Sequence, residues 1–101
     1  MGVNVELRSE SGDCLAVVLD PSGLTDQLIS SADARSVCLR FVDSYGDTIF
    51  NRIQLPELIQ ELEQAAAQLT SDEARTHASR ILELARSGLA EPHLYLAFVG
   101  D

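Results

Sequence analysis

Two histidines, two cysteines and a pair of close aspartates are the residues of this sequence best suited to chemistry. Asp43 and Asp47 bracket the turn-forming run Ser44-Tyr45-Gly46. Carboxylates facing one another across a strand pair repel unless a cation, an arginine or a reaction uses them. Turns also favour aspartate for its own hydrogen bonding, which would leave both in solvent. The run 43–47 lacks the alternating oxygen ligands of a calcium loop. His77 falls on the apolar stripe of a helical pattern. A general base would sit there, or a core-edge histidine bonded to a backbone carbonyl. Asn51 lies in an apolar strand pattern, where an unbonded amide would cost about 1–3 kcal/mol. Asp43, Asp47, Asn51 and His77 are therefore the candidate pocket residues.

Other chemistries lack their spacing. Cys14, Cys38, His77 and His93 are zinc-ligand types, but neither the cysteine pair nor the histidine pair is spaced for a metal. His93, beside Pro92, reads as surface. No Gly-x-Ser-x-Gly elbow and no glycine-rich phosphate loop occurs. No metal and no cofactor is expected.

The elements that position these residues follow from periodicity. Val3, Val5 and Leu7 alternate with Asn4, Glu6 and Arg8, the pattern of a half-buried strand. Glu10-Ser11-Gly12 makes a three-residue turn into a second apolar run at 14–19. That turn predicts a register of Arg8 with Cys14, Leu7 with Leu15, Val5 with Val17 and Val3 with Leu19. A second hairpin is expected over 37–55, pairing Phe41 with Ile49, Leu39 with Asn51 and Val37 with Ile53. Residues 20–36 stay open between a short helix, a lid and disorder, with Ser22 or Thr25 as a helix cap.

Pro56 suits the first turn of a helix. Leu55, Leu58, Ile59, Leu62, Ala65, Ala66 and Leu69 follow on one stripe. A second helix is expected from Thr70, capped with Glu73, and ends at Gly88 with an apolar Leu84–Leu89 stop. Residues 93–99 read as a last strand, central or at an edge of the sheet. The expected fold is one α+β domain over 1–101. Its five-stranded, mainly antiparallel sheet (ββ-linker-ββ-αα-β) carries two helices on one face.

The chain has 101 residues, 46% of them hydrophobic, and a net charge of −9 with arginine as the sole basic type apart from histidine. Such a surface disfavours nucleic acid and anionic membranes as partners. No run approaches the length of a membrane span, and the first residues lack the basic and apolar regions of a secretory leader. Two cysteines are too few for a disulfide framework, so a cytoplasmic setting is expected.

The sheet face away from the helices would carry Cys14, Ala16, Cys38 and a candidate interface of Arg8, Val18, Arg40, Val42, Phe50 and Arg52. Apolar residues mixed with arginine make an interface composition. Two functional readings stand. The first is a small acidic, non-catalytic protein-binding domain that pairs with itself or another protein, with an inhibitor of the immunity type as one version. There an acidic row of Glu57, Glu61, Glu63, Asp72 and Glu73 would face a basic target. The alternative is a small ligand-binding or hydrolytic domain using Asp43, Asp47 and His77.

Overall fold

A computed structural model describes residues 2–100. The chain runs β1 (Asn4–Arg8), β2 (Cys14–Val18), α1 (Leu24–Ser30), a 3-10 turn (Leu39–Phe41), β3 (Asp47–Phe50), α2 (Leu55–Ala66), α3 (Asp72–Ser87) and β4 (Tyr95–Val99). The strands form one antiparallel sheet in the order β2-β1-β4-β3. The sheet therefore has four strands and the fold three helices, against the expected five and two.

The missing strand is the 37–42 run. Its alternation of Val37, Leu39 and Phe41 imitates a strand, but the run joins no ladder and β3 keeps its outer edge unpaired. The sequence of β4, YLAFV, is uncharged, and Leu96, Ala97 and Phe98 are fully buried. A largely buried strand needs ladder partners on both sides, and β4 takes β1 and β3 as those partners. Residues 37–39 then give their N–H groups to the Glu61 carboxylate instead. The turn at Ser44-Tyr45-Gly46 does form, since Gly46 N donates to Asp43 O. It leads into β3 without making a hairpin.

The first hairpin forms around the expected turn, with Gly12 at φ 91° and Arg8 opposite Cys14. An irregularity between Leu7 and Arg8 then inserts Leu15 as an extra residue, so Leu7 faces Ala16 and Val5 faces Val18. A one-residue slip moves every later side chain to the other face. Leu15, Val17 and Leu19, expected in the core, stand outside it.

The core lies between the sheet and the helices. Val3, Val5, Leu7, Leu96, Phe98 and Phe50 meet Leu28, Leu55, Leu58, Leu62, Ile81 and Ala85. Phe50 and Phe98 pack edge to face at 5.8 Å and 89°. The stripe read for α2 is buried as the pattern requires. The cap of α3 is Ser71, whose hydroxyl accepts from Ala74 N at 3.1 Å, one residue beyond the expected Thr70. Gly88 ends α3 in right-handed geometry, φ −66°, so no left-handed stop forms. Its missing side chain serves packing: a Cβ there would lie 2.8 Å from Leu55 Cδ1.

Residues 20–36 contain α1, which packs on α3 and α2. This segment therefore joins the helical layer and leaves the other sheet face uncovered.

Candidate functional site

The expected pocket residues are not joined by contact. Asp43 Oδ1 accepts from Tyr45 N at 2.8 Å, and Asp43 N donates to Thr48 Oγ1. Asp47 is exposed, 4.0 Å from Arg8 Nη2. Asn51 is exposed rather than buried beside Leu39, because the strand that would have enclosed it does not exist. Its Oδ1 accepts from Gln54 N while Gln54 Oε1 accepts from Asn51 N, a reciprocal cap ahead of α2.

His77 belongs to a different, buried cluster. Its Nε2 lies 2.8 Å from Thr25 Oγ1 and 3.9 Å from Asp20 Oδ1. Asp20 accepts from Leu24 N on Oδ1 and from Val3 N and Thr25 N on Oδ2, at 2.7–3.1 Å. Burial pushes its carboxyl upward. The three backbone donors and nearby His77 outweigh that and hold it below the usual carboxylate range. Burial lowers the His77 pKa, opposed by Asp20 and assisted by Arg80.

The residue types suggest nucleophilic catalysis, but the geometry does not serve it. Aspartate and hydroxyl approach the same ring nitrogen, so the carboxylate does not orient the ring from its far side. Thr25 is fully buried and offers no nucleophile to a substrate. The cluster acts as a clasp. It ties the start of β1 and the N-terminus of α1 to α3.

A second buried carboxylate has a similar role. Glu61 Oε1 accepts from Cys38 N and Leu39 N, and Oε2 from Val37 N, at 2.8–3.1 Å. This removes Glu61 from the acidic row expected on the outer face of α2. Glu63 is paired with Arg86 at 2.7 Å and Asp72 with Arg75 at 3.7 Å, so the row is further interrupted. Burial, with the charges of Glu61 and Glu57, pushes the Cys38 thiol up. Cys14 is exposed on β2. Among the described residues no group of three or more His, Cys, Asp or Glu side chains converges as a metal site.

The expected interface residues disperse. Phe50 is in the core, while Val18 and Val42 pack partly against it. Arg40 lies over the exposed Phe41 ring at 4.7 Å, and Arg52 is exposed in the turn before α2. Arg8 alone of the six lies on the uncovered sheet face, where its Nε donates to Glu6 at 2.8 Å.

That uncovered face nonetheless carries an apolar band. The register sets Val17, Glu6, Ala97 and Ile49 in one row across all four strands. Tyr95 and Val99 lie on the same face of β4. Leu15, Val17 and Leu19 are 54, 44 and 65% exposed, and Ile49 is 52% exposed. A sheet face in water ordinarily turns polar at these positions. The bulge turns the β2 residues out of the core, and no residue type announces it. Glu61 left a signal, lying three residues after Leu58 and four before Ala65 on a buried stripe. Asp20 left one too, preceding Pro21-Ser22-Gly23 as a capping residue would.

Comparison with known proteins yields no matching family model, no matching curated protein and no matching solved structure. Among the described residues no helix is long and apolar enough to cross a membrane.

Proposed function

We propose that this chain is a non-catalytic protein-binding domain whose contact surface is the open face of the sheet. The observation that carries the reading is the uncovered band of Leu15, Val17, Leu19, Ile49, Tyr95 and Val99 around a paired Glu6 and Arg8. Exposed apolar strand surface of this kind is characteristic of interaction sites. The helical layer supplies stability from the other side. The buried Asp20, Glu61 and His77 are engaged in holding loops and helix ends. A net charge of −9 favours a partner whose apolar patch is ringed by basic residues. The cytoplasm is the setting that suits its free thiols.

The test uses immobilised protein against lysate of the source cells, with Ile49→Glu beside the wild type. Ile49 is half exposed on β3, so its replacement changes the face and spares the core. A protein retained by the wild type and lost from Ile49→Glu supports the reading. Equal retention by both, or no retention together with thermal stabilisation by a metabolite, favours the ligand-binding alternative. A ligand at about a hundred times its dissociation constant would add about 2.7 kcal/mol.

A further inference from the structure

The two edges of the sheet are built differently. β3 is four residues long and begins with the charged Asp47. β2 is five residues, Cys14–Val18, with neither a charge nor a proline from Cys14 through Leu19. Its outer backbone groups have no neighbouring strand. Proteins usually guard such an edge with charges, prolines or a covering segment. The one irregularity in β2 lies at its hairpin end, and pairing from Ala16 to Val18 is regular. α1 packs mainly against α3 and α2.

A groove of about 640 Å³ runs between this edge and α3, bounded by Val17, Leu19, Pro21, Arg80, Glu83 and Ser87. On a chain of net charge −9, this lining holds one positive and one negative side chain. Neither Arg80 nor Glu83 makes an ion pair among the described residues, although both lie on one flank of α3 three positions apart. We propose that the groove receives a second copy of this chain, the two β2 strands pairing antiparallel about a two-fold axis. An isologous contact sets each patch against itself. Two antiparallel α3 helices related by an axis between positions 80 and 83 bring Arg80 of each copy to Glu83 of the other. The neutral strip also gives two acidic molecules a place to approach without repulsion.

The product is one eight-stranded sheet. Leu15, Val17 and Leu19 of both copies meet at its centre and enlarge the open face assigned above to protein binding. The inference rests on that reading of the face, shares Val17 and Leu19 with it, and adds the β2 edge and α3.

Light scattering over a concentration series tests it with the full chain, comparing wild type with Arg80→Glu, Glu83→Arg and the double exchange. The expected result is a wild-type dimer, about tenfold weaker dimerisation for each single reversal, and recovery in the double exchange. Amides of Cys14–Val18 should also exchange more slowly in the dimer. A monomer at every concentration overturns self-pairing and leaves the edge to a strand of another protein. A dimer indifferent to both reversals overturns the geometry. Neither result bears on the Ile49→Glu capture experiment, which reads β3 at the far edge of the sheet, so the two readings fail separately.

Discussion

Replacing Glu61 tests whether one buried carboxylate folds the segment that sequence alone would make a strand. The carboxylate takes three backbone donors, and those of Cys38 and Leu39 are buried. Glu61→Ala leaves the two buried donors without a partner, at about 1–3 kcal/mol each. Relief of the buried charge offsets part of that cost, for a net loss of about 3 kcal/mol. Glu61→Gln keeps one oxygen for Cys38 and Leu39 but turns an amide donor toward Val37 N, a loss of about 1–2 kcal/mol. With total stability of roughly 5–15 kcal/mol, either change is easily measured. Urea denaturation gives the first readout. At a slope of about 1.5 kcal/mol/M, Glu61→Ala should lower the midpoint by about 2 M. Alkylation gives the second. Cys38 is 4% exposed within this segment and has a raised pKa, whereas Cys14 is exposed. In the wild type Cys14 should react and Cys38 should resist, and the Glu61 variants should release Cys38 below the unfolding transition. An alanine variant within about 1 kcal/mol of wild type, with Cys38 still protected, would refute the reasoning. The packing of Leu39 would then hold the segment by itself.

The remaining expectations concern pH, register and packing. The His77 pKa in the folded protein lies below its ordinary 6.5, so the unfolded chain binds the proton first and stability falls as pH drops below 6.5. Asp20 is lowered from 3.8, so its contribution is intact above 3.8 and is lost as pH falls through the folded value. A Tm profile should show both declines, with His77→Gln removing the upper one; an unchanged upper slope in that variant rejects the assignment. The bulge predicts that Leu15→Ser changes stability by less than about 0.5 kcal/mol while Leu7→Ala costs about 2–4. Similar losses at both positions in urea titrations would restore the unbulged register. Gly88→Ala forces a Cβ against Leu55 Cδ1 and should cost about 1–3 kcal/mol by thermal unfolding, whereas a neutral result would mean Leu55 yields freely.

The sequence by itself determined the elements whose pattern is local and long. The alternation of Val3, Val5 and Leu7, the Gly12 turn and the stripes of α2 and α3 each repeat a period that one element alone satisfies. It also determined a −9 charge and the lack of any spaced catalytic or metal motif. The tertiary structure decided where pairing partners were limiting. Val37–Val42 has a strand's alternation, but Glu61 on a distant helix takes the N–H groups of residues 37–39, and the run leaves the outer edge of β3 unpaired. The face of β2 turned on a single extra residue, Leu15, because a period of two inverts with every slip of one. Asp43 and Asp47 stay at one turn, while Asn51 caps the start of α2 and His77 joins Asp20 and Thr25. Local spacing fixes a residue's place on its own element, and the pairing of distant elements fixes which side chains meet.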